Sequence, residues 1–220
     1  EWWHLKSGDG GNGAVTFGSG TDKIVPADYT GDGKTDIAAW RPATGFWFVL
    51  RSEDQTFYAF PFGSNGDTPA PSDFDGDGRA DAAVYRGASN TWFINNSNGG
   101  TTISQFGAAG DVPVAADYDG DGRSDIAIFR PLLGQWWIER STAGIAAFQF
   151  GANGDRTVSG DYTGDGKADV AIWRPSDGSW SILRSEDNSF YSFPFGAGGD
   201  VPVAGDYDGD GKFDAAVFRP

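Results

Sequence analysis

A nine-residue acidic segment that recurs at a fixed spacing constrains this chain more than any other feature of its sequence. In its third copy it reads Asp-Tyr-Asp-Gly-Asp-Gly-Arg-Ser-Asp, from Asp117 to Asp125. The other copies begin at Asp28, Asp73, Asp161 and Asp206. The steps between copies are therefore 45, 44, 44 and 45 residues. A period of this length is typical of an array of similar structural units.

Each copy lies within a longer repeat of turns and strand-like segments. A Phe-Gly turn followed by Asp comes first, as at Phe106, Gly107 and Asp111, and a short apolar segment leads to the acidic loop. Three strand-like segments follow the acidic loop. The first ends in an aromatic residue and Arg, the second begins with Trp, and the third has an alternating pattern of residues. These signals predict four short strands per repeat. Four strands in about 45 residues are typical of a β-propeller blade.

The two ends of the chain predict the number of blades. Residues 2–6 and 14–17 correspond to the third and fourth strands of a repeat, whereas residues 201–204 and 214–219 correspond to the first and second. Four complete repeats lie between them. We therefore predict an all-β fold, a five-bladed β-propeller of four-stranded blades that forms a single domain over residues 1–220. One blade would be shared between the N-terminal and C-terminal segments, which leaves no open sheet edge at the join.

Composition excludes several classes of function. The chain has 31 Asp and Glu against 16 Lys and Arg, a formal charge of −15, whereas nucleic-acid binding requires clustered basic residues. No apolar run approaches the ~20 residues of a membrane span, and the absence of Cys excludes disulfides and thiolate metal sites. His4 is the only histidine, so a Ser-His-Asp triad is not supported. We expect no catalytic residues and no enzyme activity.

The acidic loop places oxygen atoms at alternate positions around a glycine turn. In the loop from Asp117, carboxylates occupy positions 1, 3, 5 and 9, Gly122 permits the turn at position 6, and the carbonyl of Arg123 at position 7 is expected to point inward. Carboxylates this close repel one another unless a cation lies between them, and such oxygen ligands suit Ca²⁺. The predicted ligands of about five calcium sites are Asp28, Thr30, Asp32, Lys34 and Asp36; Asp73, Asp75, Asp77, Arg79 and Asp81; Asp117, Asp119, Asp121, Arg123 and Asp125; Asp161, Thr163, Asp165, Lys167 and Asp169; and Asp206, Asp208, Asp210, Lys212 and Asp214.

Other kinds of acidic loop fit the sequence less well. An EF-hand requires Glu at position 12 and flanking helices, whereas position 12 is apolar here, as at Ile128. A dockerin has the short Asp pattern in two copies, each followed by a helix. The remaining alternative is an Asx-Gly turn in which Asp only bonds its own backbone. Thr30 and Thr163 replace a carboxylate at position 3, so weaker calcium binding is predicted in those two loops.

The combined pattern of Phe-Gly, Gly-Asp, Asp-x-Asp-x-Asp-Gly-x-x-Asp and an apolar strand resembles the FG-GAP (VCBS-type) repeat over the whole chain. That family includes the propeller of integrin α subunits, certain fungal lectins and many bacterial secreted proteins. The resemblance implies calcium at Asp28, Asp32 and Asp36 and at the matching positions of later copies. It also implies an extracellular binding or adhesion role. Thr30, Thr163 and the count of five blades depart from the family's pattern.

The aromatic and arginine residues allow both a packing role and a ligand-binding role. Aromatic residues that recur once per repeat are expected to pack between blades. Residues found in only some copies are the better candidates for stacking on a sugar, namely Trp3, Tyr58 and Trp136. The Arg after each second strand, as at Arg41, is expected to pair with an Asp of a turn or to stack on a ring.

The sequence therefore predicts a secreted or cell-surface, calcium-stabilised binding module whose partner is carbohydrate, a cell-surface glycan or another protein. Nucleic acid is not an expected partner, and no membrane span is expected. The first alternative is a structural element, such as a filament or surface protein, that associates with itself. The second is an accessory domain of a secreted enzyme.

Overall fold

The part of the chain that the structure describes folds from β-strands and turns. The structure, a computed structural model, describes residues 2–5, 12–207 and 210–219. Over those ranges it contains twenty strands and no helix, so the described residues include no helix that is long and apolar enough to cross a membrane. The chain divides into two compact units, Glu1–Ala109 and Gly110–Pro220. Antiparallel sheets follow one another in chain order in a β-propeller arrangement.

The first unit contains a two-stranded sheet and two four-stranded blades. The N-terminal sheet is formed by β1 (Trp2–Leu5) and β2 (Asn12–Val15). Blade 1 contains β3 (Lys23–Ile24), β4 (Ile37–Arg41), β5 (Phe46–Leu50) and β6 (Phe57–Pro61). Blade 2 contains β7 (Thr68–Pro69), β8 (Ala82–Arg86), β9 (Thr91–Asn95) and β10 (Thr101–Gln105).

The second unit contains two four-stranded blades and a two-stranded sheet. Blade 3 contains β11 (Val112–Pro113), β12 (Ile126–Arg130), β13 (Gln135–Arg140) and β14 (Gly144–Gln149). Blade 4 contains β15 (Arg156–Thr157), β16 (Val170–Arg174), β17 (Ser179–Leu183) and β18 (Phe190–Pro194). The C-terminal sheet is formed by β19 (Val201–Pro202) and β20 (Val217–Phe218).

The number of complete blades differs from the sequence prediction. The described residues form four four-stranded blades, whereas five were predicted. The N-terminal and C-terminal sheets have two strands each, because each end of the chain supplies only half of the strands that a blade requires. The count of five is therefore corrected to four complete blades. A single domain over residues 1–220 stays a prediction.

Burial decreases from the second strand of a blade to the fourth. The second strand is buried along most of its length, as in β8, because apolar residues such as Ala83 and Val84 face both sides. The third strand alternates, and its Trp92 and Ile94 point into the core. The fourth strand, as in β6, exposes every second residue. The apolar core of each blade therefore lies around its second and third strands.

Tryptophans at the start of the third strands form the centre of this core. The Nε1 atom of Trp47 donates a hydrogen bond of 3.0 Å to the carbonyl oxygen of Phe62, in the following Phe-Gly turn. The equivalent bond from Trp180 to Phe195 is 2.8 Å long. Each of these two indoles therefore anchors the turn that leads to the next sheet, and each shares an apolar cluster with residues of that sheet, Trp47 with Val84 and Trp180 with Val217. The expectation that recurring aromatic residues pack between blades is confirmed for Trp47 and Trp180, and Trp92 is also buried.

An arginine–aspartate pair closes the turn before each acidic loop. The Nε and Nη2 atoms of Arg41 donate to the two carboxylate oxygens of Asp22 at 2.8 and 2.9 Å, and Asp22 also accepts from the amide of Ser19. The predicted pairing of this arginine with a turn aspartate is confirmed. The same bidentate contact joins four further pairs, Arg86–Asp67, Arg130–Asp111, Arg174–Asp155 and Arg219–Asp200.

Candidate metal centres

Each acidic loop connects the first and second strands of its sheet and is closed at its base by a backbone bridge. In blade 1 the bridge pairs Ala27 with Asp36, which stand before position 1 and at position 9. The amide of Asp36 donates to the carbonyl of Ala27 at 2.8 Å. The same bridge occurs in the other four loops. Nine residues therefore form a compact loop whose ends are fixed by the sheet.

The aspartate at position 1 folds the loop around its own carboxylate. Asp28 accepts from the amides of Gly31 at 2.6 Å and Gly33 at 2.8 Å. Both glycines have positive φ, 77° and 78°, a conformation that other residues adopt at a cost. The Asx-turn hydrogen bonds, which the sequence left open as the alternative to a calcium loop, are therefore present. Oδ1 of Asp28 also accepts from the amide of Thr30 at 3.2 Å, so the second acceptor site of Oδ2 is the one left for a cation.

The aspartate at position 9 is buried and links three segments of the blade. Asp81 accepts from the amide of Phe74 in its own loop at 2.8 Å, and from the amide of Ser97 in the turn after β9 at 2.7 Å. Burial raises the pKa of Asp81 to about 6, against these two amide bonds, and the nearby carboxylates of Asp75 and Asp73 raise it further. A cation in this loop would favour the charged carboxylate.

The aspartate at position 5 is held by a serine that sequence reasoning did not identify. Asp32 accepts from the amide of Lys34 at 2.9 Å and from the hydroxyl of Ser52 at 2.8 Å. The amide of Ser52 also donates to Asp36 at 2.8 Å. Each of the four blades has such a serine, always 16 residues after position 9. This constant spacing is the sequence pattern from which the serine could have been identified. These serines are Ser52, Ser97, Ser141 and Ser185.

The side chain at position 3 carries an oxygen that the surrounding protein does not satisfy. Among the described residues, four such atoms are buried without a hydrogen-bond partner: Thr30 Oγ1, Asp75 Oδ2, Asp119 Oδ1 and Thr163 Oγ1. Buried polar atoms normally have a partner, and an unsatisfied one often indicates a missing ion or water. The residues present therefore fit a bound cation, which would coordinate the unpartnered oxygen at position 3.

Two loops bring their carboxylates close enough to hold one metal ion. One oxygen from each of Asp73, Asp75 and Asp81 lies within 4.8 Å of the others. The loop from Asp117 has the same spacing for its carboxylates at positions 1, 3 and 5. Both loops have Asp at position 3.

The fifth loop resembles the others in the part that the structure describes. Asp206 accepts from the amide of Gly211 at 3.0 Å, and Asp214 accepts from the amide of Tyr207 at 2.9 Å. The predicted ligand Asp208 lies outside the described residues.

The basic side chain at position 7 contacts the preceding loop. Arg79 lies against Gly31, where an added Cβ would be 2.9 Å from its Cγ and 3.1 Å from its Nε. Lys167 lies in the same way against Gly120, and Lys212 against Gly164. A cationic side chain therefore lies beside the acidic loop of the preceding repeat and offsets part of its negative charge.

The predicted ligand-stacking residues have different environments. Trp136 is fully buried and its Nε1 donates to the carbonyl of Phe150 at 2.8 Å, so it belongs to the core and has no face for a ligand. Tyr58 is half-buried, with Phe60 at a centroid distance of 6.0 Å and the guanidinium of Arg51 at 5.2 Å from its ring. The side chain of Trp3 lies outside the described part of the chain.

Comparison with solved structures shows likeness of fold. A streptogramin B lyase is 11% identical with a TM-score of 0.56, over 83% of this chain and 58% of that one. A functionally unknown protein from Desulfotomaculum acetoxidans is 11% identical with a TM-score of 0.53, over 87% and 61%. A lectin from Agrocybe aegerita that recognises non-reducing terminal N-acetylglucosamine is 20% identical with a TM-score of 0.48, over 88% and 51%. The chain thus spans between half and two thirds of the length of these three proteins.

Comparison of sequences identifies the repeat. No curated protein matches the chain. The model of the FG-GAP-like repeat matches residues 28–84, 73–128 and 161–217, which together cover more than half of the chain. Each match begins at position 1 of an acidic loop. The chain therefore belongs to the FG-GAP-like repeat family.

Proposed function

We propose that this protein is an extracellular, calcium-binding β-propeller that acts as a non-catalytic binding module, with carbohydrate as its ligand. The observation that carries the calcium assignment is the set of unpartnered oxygens at position 3. Four of these atoms are buried in loops whose other carboxylates are already held in place. A calcium ion would supply the missing partner, since it takes six to eight oxygen ligands in flexible geometry.

Calcium fits these loops better than magnesium. Magnesium demands octahedral geometry and keeps several waters, so it uses one or two carboxylates. Here three carboxylate oxygens from one loop lie within 4.8 Å of one another. Each loop also gathers several carboxylates that repel one another, and a bound cation offsets this repulsion. The chain as a whole carries a formal charge of −15.

Thermal unfolding with calcium and with a chelator tests the calcium assignment. If each loop binds with Kd near 0.1 mM, millimolar calcium adds roughly 1.4 kcal/mol per loop. We expect a large fall of Tm on chelation, full recovery with calcium and little recovery with magnesium. Isothermal titration of the chelated protein should give about five sites. An unchanged Tm together with no binding heat would rule the assignment out.

The carbohydrate assignment is supported by aromatic residues at the surface of the calcium-loop fold. Tyr58 and Tyr191 are partly exposed, and each has an arginine guanidinium against its ring, at 5.2 and 4.8 Å. An aromatic ring beside polar groups suits a sugar, which has an apolar face and hydroxyl edges. A glycan array in millimolar calcium tests the assignment, and the absence of binding to any glycan would end it.

The proposed role outside the cell follows from the calcium requirement. Loops of modest affinity stay loaded where calcium is near millimolar, as it is for extracellular modules of this kind. The absence of Cys is compatible with this, since the fold needs no disulfides. Calcium-dependent surface exposure of an epitope-tagged chain in its own cells checks this location.

The non-catalytic assignment is supported by the bonding of the loop carboxylates. The position 5 and position 9 aspartates, as in Asp32 and Asp36, accept hydrogen bonds from the backbone and from serine, so they have structural partners. The streptogramin B lyase is 11% identical to this chain, so the similarity concerns the fold alone. We expect no turnover in polysaccharide-degradation assays. Steady turnover by the chain alone would contradict a purely binding role, including that of an accessory domain of a secreted enzyme.

A structural role is the second candidate function, and exposed apolar residues on outer strands favour it. Phe57 on β6 and Phe190 on β18 are 66% and 68% exposed. Outer strands with unpaired edges and apolar side chains can pair with other chains. Light scattering with and without calcium separates the two candidates, because a scaffold element forms large assemblies and a binding module stays small.

A further inference from the structure

A large cleft lies in the first unit between the N-terminal sheet and blade 1. Its volume is about 850 Å³, within the range of ~300–1,000 Å³ that is usual for small-molecule sites. Its apolar and polar walls include Trp2, Gly13, Val15, Ile37, Leu50 and Lys34.

Blades 1 and 4 fill the same position with aromatic rings, whereas blade 2 has Ser104 and Thr102 there and blade 3 has Phe148 and Ala146. In blade 1 the rings of Trp47 and Phe60 are almost parallel, at 4° and 6.3 Å, and Tyr58 continues the column at 16° and 6.0 Å from Phe60. Blade 4 has the same column, with angles of 3° and 17° and distances of 6.4 and 6.0 Å. Its members are Trp180, Phe193 and Tyr191.

The N-terminal sheet begins this column but does not complete it. Trp2 occupies the place of Trp47, and its Nε1 donates to the carbonyl of Phe17 at 2.9 Å, as Trp47, Trp136 and Trp180 do to their own Phe-Gly turns. Counted back from the Phe-Gly turn, the places of Phe60 and Tyr58 are taken by Val15 and Gly13. Two rings are therefore absent beside an indole whose orientation is fixed, and both substituting residues line the cleft.

Polar groups surround the apolar part of the cleft. Lys34, Thr35 and Gln55 line it and carry ammonium, hydroxyl and amide groups. Gln55 has φ 60°, the left-handed conformation that Asn188 also adopts in the equivalent turn of blade 4, so the repeated turn fixes the position of its side chain at the cleft. The cleft thus offers a flat apolar surface at Trp2 and hydrogen-bonding groups around it.

We propose that this cleft is a carbohydrate site, in which one pyranose ring stacks on Trp2 in the space that two aromatic side chains fill in blades 1 and 4. A pyranose matches the site because its axial C–H groups form an apolar face and its hydroxyls form polar edges. Lys34 and Gln55 then hydrogen-bond to hydroxyls at the rim. The inference rests on the proposed carbohydrate-binding function and assigns it to one site of the first unit.

Refilling the cleft tests this site. The double variant Gly13→Tyr with Val15→Phe restores the column seen in blade 1 and blocks the space beside Trp2. The matched control, Thr101→Tyr with Ile103→Phe, adds the same rings to exposed positions of β10. Binding is measured in millimolar calcium on a glycan array and by ligand-observed NMR with methyl pyranosides and p-cresol. Thermal unfolding and calcium titration establish that each variant is folded.

We expect the refilled variant to lose at least tenfold in affinity for the bound glycan while its Tm and calcium binding stay at the level of the control. Should refilling prevent folding, Trp2→Ala and Lys34→Ala replace it, and each should weaken binding several-fold. Equal glycan binding by wild-type, refilled and rim variants overturns the site and leaves the proposed function standing. Binding of p-cresol without any pyranoside overturns the ligand class. No glycan binding by the wild-type chain defeats the proposed function itself.

Discussion

The backbone amide of Ala80 donates a hydrogen bond of 2.6 Å to the carbonyl oxygen of Asp28, so position 8 of one acidic loop is held by position 1 of the loop before it. In the second unit the amides of Ala168 and Phe213 make the same bond, at 2.7 Å, to Asp117 and Asp161. The basic side chain at position 7 lies on the preceding loop beside each of these bonds. Neighbouring loops are therefore coupled through direct contacts.

The contact between Gly120 and Lys167 predicts a selective effect of Gly120→Ala. Gly120 has φ 80°, and an added Cβ would lie 2.9 Å from Cε and 3.0 Å from Cγ of Lys167. We expect a loss of about 1–2 kcal/mol in the free energy of unfolding from the left-handed backbone, and a further loss from the displaced lysine. Urea denaturation in calcium measures both.

The control for this prediction is Gly122→Ala. Gly122 has φ 83° with open space around its Cα, so its substitution reports the backbone cost alone. Adding Lys167→Ala to Gly120→Ala should bring the loss down to the control value. Equal losses for the two single variants would show that the lysine contact contributes nothing.

Asp169 predicts a stability loss that calcium does not repair. It is fully buried and accepts from the amides of Tyr162 and Ser185 at 2.9 and 2.8 Å. Asp169→Ala leaves both amides unpartnered, so we expect a loss of about 2–5 kcal/mol in the free energy of unfolding, with calcium and with chelator. Asp187→Ala, on an exposed turn, should cost below about 1 kcal/mol. A loss seen only in calcium would mean that Asp169 acts through the metal alone.

Thr30 and Thr163 predict two weaker calcium sites that can be strengthened. Each places a neutral hydroxyl where Asp75 and Asp119 supply a carboxylate, and calcium affinity rises with the number of charged ligands. We expect Thr30→Asp to raise the affinity of its loop roughly tenfold. Isothermal titration resolves the change, and Thr21→Asp in the exposed preceding turn is the control. An unchanged binding curve would contradict a ligand role for position 3.

The Arg41–Asp22 pair predicts acid sensitivity. The hydrogen bond from the Arg41 guanidinium holds the pKa of Asp22 below its usual value of 3.8, against the opposing effect of burial and with support from the Ser19 amide. Because the pKa is lower in the folded state, the pair stabilises the fold above pH 3.8, and this stability is lost as the pH falls through the lowered value. Asp22→Asn should have a lower Tm at pH 7 and a smaller fall of Tm between pH 4 and pH 2.

Acid titration of thermal unfolding, in chelator so that calcium loss does not contribute, measures this difference. Asp54→Asn is a suitable control, since Asp54 also has a lowered pKa but bonds a local threonine in an exposed turn. Parallel Tm curves for wild type and Asp22→Asn would exclude the pair as a source of acid sensitivity.

The left-handed backbone of Gln55 predicts a stabilising substitution. Gln55 has φ 60°, while the equivalent residue in blade 4 is Asn188 with φ 58°, and Asn tolerates this region better. Gln55→Gly should raise the free energy of unfolding by about 1 kcal/mol, since the left-handed conformation costs other residues about 1–2 kcal/mol. Asn188→Gly should give a smaller gain. The midpoints of urea unfolding measure the two gains in stability. An equal or larger gain for Asn188→Gly would contradict the prediction.

The fixed period of the sequence predicted most of the fold. The second strands of blades 1 and 3 run over Ile37–Arg41 and Ile126–Arg130, as the apolar segments indicated. The first strands are shorter than their apolar segments: β11 ends at Pro113, and Ala116 then pairs with Asp125 only as a bridge. Proline is not the cause, because β15 is equally short without one and the amide of Val114, beyond Pro113, still donates to the carbonyl of Ala127 at 2.9 Å. The count of five blades was wrong, because each end of the chain supplies a two-stranded sheet and the described residues form four four-stranded blades.

The period also contained a signal that corrects the prediction for Trp136. Trp47, Trp92, Trp136 and Trp180 follow one another at 45, 44 and 44 residues, so Trp136 is the recurring core tryptophan. Its neighbour Trp137 stands at the place of Phe48 in blade 1. The alternation of side chains along a strand then points Trp136 inward.

Other features of the site depend on contacts between distant segments. The hydroxyl of Ser141 meets Asp121 across 20 residues, and Lys167 meets Gly120 across 47 residues. A motif within nine residues carries no information about partners that the fold brings from elsewhere. The acidic loops themselves were identified because their chemistry is local.

The coupling of the Asp73, Asp161 and Asp206 loops to the loops before them gives each unit a direction along the chain, and this has an evolutionary consequence. These three junctions use the carbonyl of position 1, the amide of position 8 and an arginine or lysine of position 7 that lies over a glycine. A duplicated repeat that is inserted in register therefore already encodes both partners of this contact between loops. Such a gene can lengthen or shorten by whole modules, and the near copy of residues 51–54 at residues 184–187 is the trace that this mode of growth would leave.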